Sequence, residues 1–310
     1  NMEDNILIFG HKNPDTDSIC SSIVEEILSK KRGTNNVKAV RLGNINKETQ
    51  FALDYLGIEA PELIEKVDDG QKVILVDHNE ATQSVENREN AEIIAVIDHH
   101  RISDFNTAKP LYYTAKPFGC TSTILYEEFK ELNIEIEKKD AILMLSAIIS
   151  DTLLLKSPTC TEHDLKAFEA LEKIAGIDAK DYGLKMLKAG TDTSALSAKE
   201  IIDLDAKEFD EKGKKIIVAQ VNTADINDVF SRKEDLSFAM EKEIADKNLN
   251  LCILVITDII NTNSRIIALG KDKELVEKAF NQKLDVDDSM LLEAVVSRKK
   301  QIAPPLLAVL

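Results

Sequence analysis

Short apolar runs and longer amphipathic segments alternate along the first third of the chain. Four short segments that are wholly or largely apolar read as strands, at residues 6–9, 37–42, 72–76 and 93–97, and the first of them is continuously apolar. Between the first two runs, residues 17–31 show isoleucine and leucine at helical spacing, and residues 48–56 form a second helical pattern that ends at Gly57. This alternation predicts a parallel sheet covered by helices.

The middle of the chain is predicted to be helical. Residues 121–132 and 141–149 are long and rich in alanine, leucine and methionine, which favours helix over strand. Thr161 is a suitable N-cap for a further helix through Ala175, and Gly176 follows as a C-terminal signal.

A small polar stretch at residues 188–197 separates two helical patterns and predicts a domain linker. Beyond it, three segments read as strands, at residues 216–221, 251–257 and 266–269. Two segments read as helices, at residues 226–247 and 274–284. The prediction is an α/β protein with an N-terminal parallel-sheet domain (1–188), a linker (189–196) and a smaller C-terminal α/β domain (197–310).

Composition narrows the class of protein. The 310 residues contain 39 Lys and Arg against 55 Asp and Glu, a net charge of −16 that repels a phosphate backbone and disfavours nucleic-acid binding. No apolar stretch approaches the roughly 18 residues that a membrane span needs, so we expect no membrane partner. The four cysteines stand singly, without a CxxC pair, which predicts a reducing, cytoplasmic setting: Cys20, Cys120, Cys160 and Cys252.

Histidine and aspartate residues follow the ends of three predicted strands. They are His11, Asp15 and Asp17 after the first strand, Asp77 and His78 after the third, and Asp98, His99 and His100 after the fourth. Because ligand sites in open α/β sheets lie outside the carboxyl ends of the strands, we expect these side chains to meet in one crevice. Mixed imidazole and carboxylate ligands suit Mn²⁺ or a related ion, and the lack of thiolate argues against a closed structural zinc site.

Asp151 is a further candidate ligand. It follows an apolar helical pattern, where a carboxylate is costly to bury unless something compensates its charge, and a metal ion can do so. Taken singly, each of these aspartates is more typical of a cap or turn, and each histidine of a satisfied structural residue. Their joint occurrence at successive strand ends favours the metal site.

A basic segment, residues 297–301, lies near the end of the chain. It is typical of a solvated charged surface, but Arg298 beside Lys299 also suits a phosphate, since arginine can bind two oxygens at once. If they bind a substrate, we expect both residues to act on it and not on the fold. Lys207 is a weaker candidate. The sequence has neither a P-loop nor a GxGxxG motif.

Five motifs together span most of the chain: His11-x-Asn13-Pro14-Asp15-x-Asp17-Ser18, Asp77-His78-Asn79, Asp98-His99-His100, Ser150-Asp151 and Ser297-Arg298-Lys299-Lys300. This combination resembles the family II, manganese-dependent inorganic pyrophosphatases of the DHH phosphoesterase superfamily. The Asp-His-His triplet alone marks the superfamily, which includes exonucleases and cyclic-dinucleotide phosphodiesterases. Those relatives carry a glycine-rich, histidine-containing C-terminal motif that this sequence lacks, so the Ser-Arg-Lys segment points to pyrophosphate.

The resemblance implies a DHH domain, a DHHA2-type domain and an active site in the cleft between them. It implies two Mn²⁺ ions per chain, with Co²⁺ as a possible substitute and Mg²⁺ arriving with the substrate. The first ion would be held by His11, Asp15 and Asp77, and the second by Asp17, Asp77, His99 and Asp151. The resemblance also implies a homodimer joined through the N-terminal domain.

The implied catalytic residues are His100, as a general acid facing the substrate, with Asp77 and Asp151. The implied phosphate-binding residues are His100, Lys207, Arg298 and Lys299. The sequence thus predicts an enzyme that hydrolyses pyrophosphate to two orthophosphates with a water activated by two metal ions. One alternative is a related DHH phosphohydrolase acting on short polyphosphate or small phosphodiesters. Another is a catalytically silent metal- or phosphate-binding regulator, against which the intact ligand set and candidate acid argue.

Overall fold

The computed structural model describes residues 5–310 and divides into two compact units, the first ending at Leu187 and the second spanning Lys188–Leu310. Helix α6 (Ala179–Ala189) ends where the predicted linker begins, and helix α7 starts at Ala198. The exact linker limits, 189–196, stay a prediction. Among the described residues, no helix is both long and apolar enough to cross a membrane.

The first unit is built on a parallel sheet. Within residues 5–187 its strands are β1 (Ile6–Phe9), β2 (Val37–Arg41), β3 (Glu62–Leu63), β4 (Lys72–Val76), β5 (Glu92–Asp98) and β6 (Tyr112–Ala115). They lie in the order β3-β2-β1-β4-β5-β6, and every neighbouring pair is parallel. The parallel sheet predicted from the apolar runs is confirmed.

Helices accompany this sheet, as predicted. Before α6 they are α1 (Thr16–Lys31), α2 (Lys47–Leu56), α3 (Thr121–Glu131), α4 (Lys138–Thr152) and α5 (Glu162–Ala175). Gly57 ends α2 in the left-handed conformation, at φ 64°. Thr161 caps α5 through a reciprocal capping box with Asp164, and Gly176 follows α5 in the same left-handed conformation, so both predicted helix ends are confirmed.

The second unit has a mixed sheet. Its strands are β7 (Ala206–Glu211), β8 (Lys214–Thr223), β9 (Leu251–Asp258), β10 (Asn263–Leu269) and β11 (Ser289–Leu292). Their order is β11-β10-β9-β8-β7, with β8 and β9 parallel and the other pairs antiparallel. Its helices are α7 (Ala198–Asp203), α8 (Ile226–Phe230), α9 (Lys233–Lys247), α10 (Leu275–Phe280) and α11 (Ala303–Ala308).

Two predicted helices of the second unit differ from the structure. The helix predicted over 226–247 is two helices, because the chain breaks at Ser231 and Arg232. The Arg232 guanidinium donates to the carbonyl oxygens of Thr193 and Leu196, at 3.2 and 2.7 Å, which fixes this break by tertiary contact. The helix predicted over 274–284 is shorter and covers only α10.

Candidate metal centre

The strand order of the first sheet creates a crevice between β1 and β4. From this pair the sheet continues through β2 and β3 on one side and through β5 and β6 on the other. Such a reversal of strand order is where open α/β sheets bind ligands, outside the carboxyl ends of the strands. His11 follows β1, Asp77 follows β4 directly, and His99 follows β5, so three predicted ligands come from three adjacent strand ends.

The first group of candidate ligands is His11, Asp15 and Asp77, whose ligand atoms all lie within 4.8 Å of one another. His11 Nε2 is 3.6 Å from Asp15 Oδ2 and 3.4 Å from Asp77 Oδ2. Asp15 is also the N-cap of α1, accepting from the Ser18 amide at 2.9 Å. It therefore combines a capping role with a place in the ligand group.

The second group is Asp17, Asp77, His99 and Asp151, also within 4.8 Å. His99 Nε2 lies 3.0 Å from Asp77 Oδ1 and 3.6 Å from one oxygen each of Asp17 and Asp151. Asp77 belongs to both groups. The structure thus brings together all six sequence-predicted ligands, while their assignment to individual ions stays a prediction.

Each group contains a buried atom that suits a cation. His11 Nδ1 lies 2.6 Å from the Lys12 carbonyl oxygen, which can only accept, so Nδ1 carries a hydrogen and Nε2 is the nitrogen left to bind a cation. Within residues 5–310, neither His11 Nε2 nor Asp151 Oδ2 has a hydrogen-bond partner, although both atoms are buried. Buried polar atoms are rarely left unsatisfied, and these nitrogen and oxygen donors fit manganese.

The carboxylates are close enough to perturb one another. Burial, and then the charge of Asp77, raises the pKa of Asp17 to about 6. Burial, and then the charge of Asp17, raises the pKa of Asp151 well above its usual range. Burial also opposes ionisation of Asp77, but the neighbouring His11, His99 and His100 rings, with the hydrogen bond to His99 among these contacts, outweigh it and lower the Asp77 pKa. This concentration of buried negative charge favours a divalent cation.

A close approach between the end of β1 and the start of α1 holds Asp77. Ser18 Oγ donates to Asp77 Oδ2 at 2.9 Å. A side chain at Gly10 would place its Cβ 2.4 Å from the Ser18 Cβ, so only glycine permits this contact. Asp77 itself has φ 59°, a left-handed conformation that costs a non-glycine residue about 1–3 kcal/mol and is typical of functional sites.

The segment leading into α3 supports the second group. The Thr121 and Ser122 amides donate to the Asp17 carboxylate at 2.9 and 3.3 Å. His99 Nδ1 donates to the Phe118 carbonyl oxygen at 2.9 Å, which directs Nε2 toward the carboxylates. Asp164 of α5 fixes this segment by accepting from the Gly119 amide at 2.8 Å.

His100 is held differently from His99. Its Nδ1 donates to Asp98 Oδ1 at 2.7 Å, and the Asn79 side chain donates to Asp98 Oδ2 at 2.8 Å. Burial opposes ionisation of Asp98, but the charge and hydrogen bond of His100 lower its pKa overall. Because Nδ1 donates to Asp98, Nε2 on the opposite ring edge is the nitrogen that the predicted proton transfer would use. The ligand atoms of His100, Asp77 and His99 also lie within 4.8 Å, so geometry alone admits His100 as a ligand.

His78 fits the structural interpretation of a histidine at a strand end. It is buried, its Nδ1 donates to the Val76 carbonyl oxygen at 2.9 Å, and its Nε2 accepts from Ser84 Oγ at 2.9 Å. Burial lowers its pKa to about 4, so His78 is neutral at physiological pH. It is a satisfied structural residue beside the ligand groups.

The basic candidates lie in the second unit. Arg298 begins a π-helical turn, Arg298–Ile302, and is 9% exposed. Its Nη1 donates to the carbonyl oxygens of Asp205 and Val218 at 2.9 and 3.1 Å, and its Nη2 to Asp205 Oδ1 at 2.7 Å. The solvated-surface interpretation is therefore wrong for Arg298. The expectation that it leaves the fold untouched is wrong too, because these bonds tie the turn to β8 and to Asp205, the residue just before β7.

Arg298 also lies near Lys207. Val218, whose carbonyl accepts from Arg298, is the cross-strand partner of Lys207. Lys207 and Lys299 are both half-buried. The second unit thus brings the segment after β11 beside β7, as a phosphate-binding set would require.

Comparison with known proteins places this site in a family. Residues 5–148 match the DHH family, N-terminal domain, and residues 184–309 match the DHHA2 domain. The chain is therefore a DHH-family protein with a C-terminal DHHA2 domain.

Relatives that match nearly the whole chain identify the family more closely. A probable manganese-dependent inorganic pyrophosphatase of Bacillus velezensis is 55% identical over 302 residues, 97% of each chain. The manganese-dependent inorganic pyrophosphatase of Bacillus subtilis is 54% identical, again over 97% of each chain. The crystal structure of a putative family II inorganic pyrophosphatase from Methanococcus jannaschii matches with a TM-score of 0.88 and 41% identity, covering 97% of this chain and 98% of the other. The chain belongs to the family II, manganese-dependent inorganic pyrophosphatases, and the family resemblance seen in the sequence is confirmed.

Sequence reasoning missed the residues that hold the ligands in place. Thr121 and Ser122 follow Gly119 and Cys120 in a run of small residues, a helix-start signal that also marks amides available to a carboxylate. Asp164 carries the signal of a capping box, but nothing local indicates its bond to Gly119.

Proposed function

We propose that this protein hydrolyses inorganic pyrophosphate to two orthophosphates at a pair of manganese ions. One observation carries the proposal. Asp77 is shared by two candidate ligand groups. Each group also holds a buried potential ligand atom that has no hydrogen-bond partner in the described chain, His11 Nε2 in one group and Asp151 Oδ2 in the other. A shared carboxylate between two such groups is the arrangement of two-metal phosphoryl transfer.

When bound, two divalent ions supply a nucleophilic water near neutral pH and Lewis acidity toward phosphate oxygens. His11, Asp15 and Asp77 would hold the first ion, and Asp17, Asp77, His99 and Asp151 the second. Of these, we count Asp77 and Asp151 as catalytic, because they would help hold the ions that supply the attacking water. His100 would donate a proton to the leaving phosphate while Asp98 stabilises its charged ring.

We assign binding of the phosphate groups to Lys207, Arg298 and Lys299, together with His100. The fixed Arg298 guanidinium supports this, since a positioned donor loses little entropy when it binds an oxyanion. The substrate would arrive with Mg²⁺, which prefers phosphate and water oxygens.

The test is a substrate panel with defined metals. Protein stripped by a chelator and refilled with Mn²⁺ is expected to release orthophosphate from pyrophosphate far faster than from tripolyphosphate or a small phosphodiester. Mg²⁺ alone is expected to restore less activity, and Co²⁺ to replace Mn²⁺, because two imidazoles favour these ions over Mg²⁺. Faster cleavage of the diester would contradict the proposal.

We further propose a cytoplasmic homodimer joined through the N-terminal unit. Strand β6 stands at one edge of its sheet and Tyr112 is 85% exposed, so this edge can pair with a second chain. Four free cysteines among the described residues fit a reducing compartment. Sedimentation should give twice the 34.5 kDa chain mass, and a monomer at micromolar concentration would contradict the dimer.

A further inference from the structure

Glu48 contacts both helices that carry the second ligand group. It lies in the first turn of α2 and is 8% exposed. Its Oε1 accepts from Thr16 Oγ1 at 2.6 Å and also from Ser150 Oγ. Thr16 directly precedes Asp17 at the start of α1, and Ser150 directly precedes Asp151 in the last turn of α4. One carboxylate oxygen therefore joins the neighbours of two candidate ligands that are far apart in the chain.

We propose that Glu48 is a positioning residue that sets the spacing between the Asp17 and Asp151 carboxylates for the second metal ion. The inference rests on the proposed function only in taking this group as a manganese site. Two hydroxyls that converge on one acceptor fix the start of α1 relative to the end of α4. A second contact, between the Thr16 and Thr49 hydroxyls at 2.9 Å, strengthens the connection on the α2 side.

The position of Glu48 separates this role from ordinary helix stabilisation. An acidic residue in the first turn of a helix is favourable at the surface, where it needs no buried partners. Glu48 instead turns inward, toward two hydroxyls beside ligands, and Asn46 already caps α2. A helix-stabilising role predicts lower stability with unchanged metal affinity, whereas a positioning role predicts weaker binding at one of the two ions.

The experiment measures manganese binding directly. Metal-depleted protein is titrated with Mn²⁺ while the free ion is followed by electron paramagnetic resonance. Glu48→Ala is expected to bind one Mn²⁺ per chain normally and the second about 10- to 100-fold more weakly. Ser150→Ala should weaken the same ion to a smaller extent. Glu48→Gln, which keeps an acceptor oxygen, should recover much of the affinity.

Glu25→Gln is the matched control. Glu25 is another buried glutamate, 7% exposed in α1, and it bonds to Ser29 away from the ligand groups. This variant should bind both ions with unchanged affinity. If Glu48→Ala does not fold, Ser150→Ala and Thr16→Val carry the test, since each removes one hydroxyl.

Two results separate the inference from the proposed function. Wild-type affinity for both ions in Glu48→Ala and Ser150→Ala would overturn the positioning role, even with full pyrophosphatase activity. Weakened binding of one ion in these variants would support it, even if the wild-type protein prefers a different phosphate substrate.

Discussion

Replacing His100 by glutamine tests the division of labour between two adjacent histidines. His99 Nε2 lies 3.0–3.6 Å from three carboxylates, whereas His100 is bound through Nδ1 to Asp98 at 2.7 Å. Glutamine keeps a polar side chain of similar reach but cannot transfer a proton as an acid. We therefore expect His100→Gln to lose turnover and keep its metal ions, and His99→Gln to lose affinity for Mn²⁺.

The expected magnitude follows from what His100 supplies. A positioned general acid contributes about 10²- to 10⁴-fold in rate, equivalent to roughly 3–5 kcal/mol of transition-state stabilisation. The loss in folding stability should be smaller. Asp98 gives up one donor but keeps the His99 amide and the Asn79 side chain, so the free energy of unfolding should fall by about 1 kcal/mol.

The assay pairs steady-state phosphate release at saturating Mn²⁺ with a titration of metal binding. His163→Gln is the matched control, because His163 is exposed, pairs with Glu127, belongs to neither ligand group and reaches the site only through its stacking on Phe118. Equal losses of Mn²⁺ affinity in His100→Gln and His99→Gln would make His100 a ligand with Asp77 and His99, which their proximity also permits. Near-normal turnover in His100→Gln would remove it from catalysis.

Strands that are buried on both faces were predictable, and edge strands were not. The apolar runs at 6–9 and 72–76 match β1 and β4 at both ends, because a strand buried in a parallel sheet needs continuous apolar residues. Strand β7 escaped notice because Phe209 is its one buried hydrophobic residue, and its other positions face solvent wholly or in part. Strands β3, β6 and β11 are short and lie at sheet edges, where packing places little constraint on the residue types.

The clustering of the candidate ligands was predictable because topology gathers strand ends at one edge of the sheet. Their supports were not, because those contacts join residues that the sequence keeps far apart. Glu48 and Ser150 are 102 positions apart, and Arg298 bonds to Asp205 across 93 positions. A local pattern marks Glu48 as a helix-start residue and Arg298 as part of a charged run. Only the packing of the folded chain gives them their structural contacts.

Three further changes test other parts of the site and fold. Asp77→Ala removes a donor from both ligand groups, so elemental analysis of the purified variant should find neither manganese ion tightly bound; two retained ions would contradict the shared role. Arg298→Lys keeps the positive charge but loses the planar guanidinium, with its paired N–H donors, and its bonds to Asp205. We therefore expect a large fall in kcat/KM and a loss of about 1–3 kcal/mol in the free energy of unfolding. Unchanged kinetics would exclude phosphate binding by Arg298. Glu25→Gln tests the cost of a buried carboxylate. Burial, and then the charge of Glu128, raises the pKa of Glu25 from 4.5 to about 8. The folded state therefore holds a proton that the unfolded chain releases above pH 4.5, and its stability falls as the pH rises from there to about 8. At about 1.4 kcal/mol for each pKa unit, the ionised Glu25 costs at most about 5 kcal/mol, which glutamine avoids. Urea unfolding of chelator-treated protein should show the variant close to wild type at about pH 4.5 and increasingly more stable toward about pH 9; a difference that does not grow with pH would show that Glu25 ionises normally in the folded state.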